Sequence, residues 1–357
     1  MKIESLIKKV SAKSARSKAK NSSIVISSRL RLARNLNKYS FPNCASDSQR
    51  SNVLSDVEEA LSALPYMKNG NFFTMDSLSD FEKKILVERH WISKELAEQK
   101  NGSAVYISSD QICSVMINEE DHLRIQFIKN NFNLNSLWKT LSKFDDVLEA
   151  SLPYAFTKEL GYLTSCPSNL GTGLRASVMM HLPGLLITGN IKKIIRASNQ
   201  LGLAVRGLFG EGSDAYGHIY QISNQQTLGE SEEEILNRLA AVLKNIVEHE
   251  LNARSKYLEN NKAKLSDLIA RAHAILSSAH VISSDEAMNY LSYIRLAIDL
   301  GFISEEFRSL IDFLFIQIQP GHIEFPNAIL SIESRDIKRA EILRNNFSKL
   351  PPLNFDK

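Results

Sequence analysis

From Ser231 to Leu276 the sequence reads SEEEILNRLAAVLKNIVEHELNARSKYLENNKAKLSDLIARAHAIL, without a glycine or a proline. Apolar residues recur at three- and four-residue spacing and charged residues fill the gaps, the pattern of long amphipathic helices. Such helices bury their apolar stripe only by packing on one another or on another layer. Before residue 230 the chain instead alternates short strand-like and helix-like stretches separated by turn residues. At 357 residues it is long enough for two or three domains and at least one substantial core. The expected organisation is a basic arm over residues 1–21, a mixed body over 22–255 and an all-helical domain over 256–357.

Charge and composition exclude several classes. The net charge of +3 is too small to imply nucleic acid. Most of the excess lies in the arm, where Lys2, Lys8, Lys9, Lys13, Arg16, Lys18 and Lys20 face one acid, Glu4. That arm lacks the apolar centre of a secretory signal. The most apolar stretch, VMMHLPGLLITG, is broken by His181, Pro183 and glycines, so no membrane span is expected. Three widely spaced cysteines, Cys44, Cys113 and Cys166, argue against a disulfide framework and for a reducing cytoplasm. Cys44 and Cys113 read as buried structural residues. With no CxxC and no HExxH, no protein-bound metal is expected.

Periodicity places a strand in SSIVISSRLRLARNL, helices over 49–64, 79–100 and 134–150, a hairpin pair over 104–108 and 111–128, and strands near 174–182 and 204–222. Taken as strands, three of these segments carry arginine on a polar face, because side chains alternate with period two. Arg29 and Arg31 share a side. Asn118, Glu120, His122, Arg124 and Gln126 line another, and Arg175 with Ser177 a third. A fourth segment, AVRGLFGEGSDAYG, sets Arg206 and Glu211 around Gly207, Gly210 and Gly212. Each alone also fits a solvated face with ion pairs such as Glu120 with Arg124. Together, arginines with carboxylates suit phosphoryl transfer, where positioning and electrostatics carry most of the catalysis. There is no GxxxxGK[ST] and no HRD or DFG set, which excludes a P-loop and the common protein kinase fold.

In this order, SSRLRLARNL, NEEDHLRIQ, CPSNLGTGLRASV and RGLFGEG resemble the motifs of the ATP:guanido phosphotransferases, the family of arginine and creatine kinases. The resemblance spans residues 27–212. Within the family the closer likeness is to the bacterial protein arginine kinases. Only a short segment precedes the first motif, and the later SRDIKRAEI resembles their phosphoarginine-binding RDxxRA motif. The implied fold class is α+β, a phosphagen-kinase-like antiparallel sheet flanked by helices and followed by an all-helical C-terminal domain. The implied activity is transfer of a phosphoryl group from Mg-ATP to arginine side chains of proteins. A kinase of free arginine or another small guanidino compound, and a non-catalytic phosphoarginine reader, are the alternatives.

The resemblance assigns Arg29, Arg31, Arg124, Arg175 and Arg206 to the nucleotide phosphates. Ser27, Ser28, Leu30, His90, Ala176, Ser177, Val178, Met179, Gly207, Leu208, Phe209, Gly210 and Glu211 complete its ATP site. It makes Glu120 and Glu211 the carboxylates that grip the substrate guanidinium, and Cys166 a thiolate that tunes the attacking nitrogen. It makes Arg335, Asp336, Arg339 and Ala340 a regulatory phosphoarginine pocket. This sequence departs from the family at Met179, where relatives carry histidine, and at Gln221, where an aspartate near the ribose is expected. The resemblance further implies a homodimer, protein substrates with exposed arginine, a zinc-binding activator of the McsA type, and a role in Clp-type proteolysis and heat-shock control.

Overall fold

The computed structural model describes residues 24–99, 101–207, 215–325 and 329–355. The basic arm lies outside these residues. Two compact units divide the chain: one holds residues 27–178 and 223–241, the other residues 24–26, 179–222 and 242–355. Among the described residues no helix is long and apolar enough to cross a membrane.

In the first unit, strand β1 (Val25–Arg34) alternates as its sequence predicts: Leu30 and Leu32 are fully buried, and Arg29 and Arg31 are half-buried on the opposite side. After helix α1 (Asp47–Ala63) come β2 (Asn71–Thr74), helices α2 (Asp80–Glu88) and α3 (Lys94–Glu98), then β3 (Ala104–Ile107), β4 (Cys113–Ile117) and β5 (Leu123–Asn130). Next are α4 (Leu134–Ser151), the short pair β6 (Phe156–Thr157) and β7 (Gly161–Tyr162), and β8 (Leu174–His181). The strand order is β2-β3-β4-β5-β1-β8, and β2 to β5 and the β5-β1 pair are antiparallel. Helix α4 buries Leu134, Leu137, Leu141, Phe144 and Leu148, one face at helical spacing. The same helix supplies Asp145, whose carboxylate lies 2.7 Å from the Arg34 guanidinium.

In the second unit, β8 continues from Met179 and is followed by α5 (Pro183–Ile187), α6 (Ile191–Gln200), β9 (Leu203–Gly207) and β10 (Ile219–Asn224), in the order β8-β10-β9. Helix α7 (Glu232–Ser278) starts in the first unit and ends in the second, departing from helical dihedrals at Asn261. It leads to α8 (Ser284–Asp299), α9 (Arg308–Gln317), α10 (Pro320–Glu324) and α11 (Ile332–Phe347). Leu265, Ile269 and Leu276 of α7 pack with Leu291 and Ile294 of α8, Leu314 of α9 and Leu343 of α11 in one apolar core.

Three sequence expectations change. Residues 79–100 are two helices, because His90 adopts a left-handed φ of 59° and Ser93 caps a new helix by accepting the Leu96 N–H at 3.0 Å. Residues 111–128 are two strands: Asn118, at φ 54°, starts a turn in which its N–H donates to the His122 carbonyl at 3.0 Å. Asn118, Glu120 and His122 therefore do not extend the face of Arg124 and Gln126. Cys44 is exposed, whereas Cys113 is buried as expected.

Candidate active site

Strand register brings the arginines together. Arg31 pairs with Gln126, and Arg124 is the next residue on that face of β5, diagonal to Arg31. From β8, the Ser177 hydroxyl accepts from Arg29 Nε at 3.3 Å, and Arg175 Nη2 donates to the Ser223 hydroxyl at 3.4 Å. Four guanidiniums, Arg29, Arg31, Arg124 and Arg175, thus share one electrostatic neighbourhood. Withdrawal from solvent and the charges of Arg175 and Arg124 push the Arg29 pKa down to about 10. Arg31 is pushed well below its usual value by burial and by Arg29, Arg124 and Arg175, with Glu119 opposing. Its Nε is buried without a hydrogen-bond partner. A cluster of fixed cations of this kind is stabilised by a polyanion, and guanidinium forks match phosphate oxygens.

His90 lies within the field of this cluster. Its backbone carbonyl accepts from Gln126 Nε2 at 2.7 Å, which anchors the break between α2 and α3. Burial first, then Arg29 and Arg31, lower the imidazole pKa to about 4, so the ring is neutral near pH 7.

The turn between β4 and β5 carries three carboxylates, and the two that meet Arg124, Glu119 and Glu120, have different surroundings. Glu119 is buried and pairs with Arg124 at 2.7 Å; burial raises its pKa against the pull of Arg124. Glu120 is half-exposed and lies 3.3 Å from the other nitrogen of Arg124. The turn is held from behind. Asn118 Nδ2 donates to the Arg50 and Gly102 carbonyls at 2.9 and 2.7 Å, and Arg50 Nη2 returns a bond to the Asn118 carbonyl at 3.2 Å. Sequence analysis did not single out Glu119; the run NEED, able to turn at its asparagine, is the available signal.

Cys166 precedes the short 3-10 turn Pro167–Asn169 and is half-buried, with Sγ 3.0 Å from the Ser168 hydroxyl. Thr164 Oγ1 donates to the Cys166 carbonyl at 2.8 Å, and Thr227 Oγ1 to those of Ser168 and Leu170 at 3.0 and 2.7 Å. The two glycines before Arg175 are required by close approach. At Gly171, φ 101°, a Cβ would lie 2.4 Å from the Thr227 carbonyl; at Gly173, φ 65°, it would lie 2.6 Å from Arg34 Nη1.

Several residues of the expected ATP site point elsewhere. Leu30, Ala176 and Val178 alternate into the core, and Met179 joins the apolar core of the second unit. The Ser28 hydroxyl donates to the Asn131 carbonyl at 2.7 Å and accepts the Asn133 N–H at 3.0 Å, a structural clasp. Ser27 is buried on the arginine side of β1. Arg206 is exposed and, with Gly207, ends β9 in the second unit, while Leu208, Phe209, Gly210 and Glu211 lie outside the described residues.

The C-terminal motif starts α11. Arg335 pairs with Glu324 at 3.2 Å. Arg339 is 2 % exposed: it donates to the Ile318 and Ile282 carbonyls at 3.0 and 2.9 Å and pairs with Asp336. Asp336 and Arg339 are therefore not an exposed pair of the ordinary helical kind, and Ala340 is buried beside them.

Residues 52–253 match the family model of the ATP:guanido phosphotransferase C-terminal catalytic domain, and residues 262–357 that of the protein-arginine kinase McsB C-terminal domain. The protein-arginine kinase of Brevibacillus brevis is 45 % identical over 327 residues, covering 91 % of this chain and 92 % of its own. That of Geobacillus stearothermophilus is 45 % identical over 91 % of this chain and 90 % of its own. That of Bacillus pumilus is 43 % identical over 96 % and 95 %. Among solved structures, a lombricine kinase superposes with TM-score 0.59 at 24 % identity over 70 % of both chains. A duplicated taurocyamine kinase from Schistosoma mansoni gives 0.60 at 23 % identity, over 81 % of this chain and 48 % of its own. These two share the fold. The chain belongs to the protein-arginine kinase family of the ATP:guanido phosphotransferases.

Proposed function

We propose that this chain is an ATP-dependent kinase that phosphorylates arginine side chains of proteins. The observation that carries the reading is the crowding of Arg29, Arg31, Arg124 and Arg175 beside a turn that presents Glu120. This donor set fits a nucleoside triphosphate, and magnesium would be held there chiefly by the phosphate oxygens. Bound Mg-ATP supplies the phosphoryl group and ADP as leaving group.

The protein's share of the chemistry follows from the substrate. A guanidinium with a pKa above about 12 is not a nucleophile while it stays fully protonated. Glu120 accepts its proton as the N–P bond forms, and the γ-phosphoryl bond to ADP breaks. Arg124, tied to both Glu119 and Glu120, couples the carboxylate turn to the phosphate face. Cys166 sets its sulfur beside the attacking nitrogen, the role its motif implies. Arg206 and Glu211 keep the roles their motif implies.

On the same reading, residues 22–255 form the catalytic domain and 256–357 a regulatory one. Asp336 receives the guanidinium of a phosphoarginine and Arg335 its phosphate, while Arg339 and Ala340 form the buried floor. A homodimer, a zinc-binding activator of the McsA type, delivery of marked proteins to Clp-type proteases and a cytoplasmic setting are the corresponding partners and context.

The test is incubation with Mg-ATP and a folded protein substrate, with free arginine in parallel, and mass spectrometry under non-acidic conditions. Phosphoarginine on the protein, reduced by about 10²–10⁴-fold in Glu120→Gln, is expected. Transfer to free arginine alone would reassign the activity to a small guanidino substrate.

A further inference from the structure

Glu120 and Cys166 stand on different loops, joined covalently only through β5, α4 and the β6–β7 pair. Their spacing must nevertheless be held to a fraction of an ångström if both act on one guanidinium. A buried side-chain pair connects them directly. Asp121, 3 % exposed, follows Glu120; through Oδ1 it accepts the Ser165 backbone N–H at 2.7 Å, one residue before Cys166. The same oxygen accepts from Asn35 Nδ2 at 2.6 Å.

Asn35, 1 % exposed and next after β1, uses its whole amide. Its Oδ1 accepts the His122 N–H at 2.9 Å, and its Nδ2 also donates to the Leu163 carbonyl at 3.1 Å. The His122 ring locks the far side of the turn. Its Nδ1 accepts the Leu36 N–H at 3.0 Å, which leaves Nε2 to donate to the Ser40 carbonyl at 3.0 Å. Three segments thus meet on one carboxylate and one amide: the end of the arginine strand, the Glu120 turn and the Cys166 loop. Charge-assisted bonds of this kind are short and directional.

We infer that Asp121, held by Asn35, is a positioning residue that sets Cys166 against Glu120 at the guanidinium end of the site. The inference rests on the roles given above to Glu120 and Cys166. A carboxylate serving only stability would affect folding without selecting among kinetic constants.

The experiment uses the full chain with Asp121→Ala, Asp121→Asn and Glu120→Gln, reading kcat, KM for ATP and the site-resolved alkylation rate of Cys166. Exposed Cys44 serves as the internal reference. Asp121→Ala is expected to lower kcat about a hundredfold, with KM for ATP within about twofold of the parent. Cys166 alkylation should rise relative to Cys44. Asp121→Asn keeps an acceptor oxygen for the Ser165 N–H and should recover most of kcat and return Cys166 alkylation toward the parent rate.

Parent-like kcat and parent-like Cys166 alkylation in Asp121→Ala, with Glu120→Gln inactive, would overturn the inference alone. Equal loss of kcat in both Asp121 variants with unchanged alkylation would also overturn it, because charge rather than position would then be responsible. If Glu120→Gln keeps its kcat, the site assignment fails, and the alkylation ratio still reports whether Asp121 holds the Cys166 loop. Should Asp121→Ala not fold, Asn35→Ala removes the amide and leaves the carboxylate; a kcat loss of about tenfold with faster Cys166 alkylation supports the inference, and parent-like values of both overturn it.

Discussion

Arginine is withdrawn from solvent in both compact units under opposite electrostatic conditions. In the second unit Arg254 lies 2.6 Å from both Glu250 and Asp299, Arg295 lies 2.8 Å from Asp312, and Arg308 is held by Asp299 and Glu305. Burial alone would lower the Arg308 pKa, but these carboxylates raise it above its usual value. In the first unit burial, and then the charges of Arg175 and Arg124, lower the Arg29 pKa. Strand β1 contains both kinds: Arg34, 1 % exposed, is matched to Asp145, while Arg29 and Arg31 face Arg124 and Arg175. The difference separates arginines enclosed by carboxylates from those, such as Arg29 and Arg31, whose charged neighbours include other arginines and which suit an incoming anion.

The largest expected effect breaks the matched set. Arg254→Ala leaves Glu250 buried without its cation and Asp299 with Arg308 alone, and should cost about 3–5 kcal/mol of unfolding free energy by denaturant titration. A loss below about 1 kcal/mol would erase the distinction, because that is the scale of a surface pair. Next, Arg31→Ala should lower kcat/KM by about 10²–10³-fold, the scale of removing one transition-state donor. Its melting temperature should hold or rise, since a mutually repelled cation has been removed; a clear fall would place Arg31 among the structural arginines.

A smaller effect compares two histidines. His90 and His218 both have pKa values of about 4 against an ordinary 6.5, His218 through burial alone and His90 through burial plus Arg29 and Arg31. Between these values the unfolded chain binds more protons, so both contribute stability that is present above pH 6.5 and is lost as pH falls toward about 4. Bound ADP should raise the His90 pKa, by offsetting the arginines, and leave that of His218 in place. Imidazole proton shifts followed by NMR would measure both. The smallest expected change is in Arg271→Ala, whose exposed pair with Asp267 at 2.8 Å should contribute only about 0.3–0.5 kcal/mol.

Much of the framework was legible because local pattern and burial agree. Strands β1 and β8 and helix α4 follow from period-two and helical spacing, and their arginine or apolar faces lie where that spacing puts them. The break at His90 was not legible: no glycine or proline marks it, and its carbonyl is held by Gln126 from a distant strand. Nor was the Glu120 turn. NEEDHLRIQ alternates well enough to read as one strand, but Arg50, Gly102 and Asn35 bind its polar groups in another conformation.

By itself the sequence determined the arginine-bearing strands, the helical C-terminal region and the motifs that mark the family, since all of these depend on neighbours in the chain. Tertiary structure alone decided which arginines are crowded and which are matched. Arg34 meets Asp145 across more than a hundred residues, as Asp121 meets Ser165 across more than forty. Charge in a protein interior is governed by the nearest groups in space, and sequence spacing does not encode that distance.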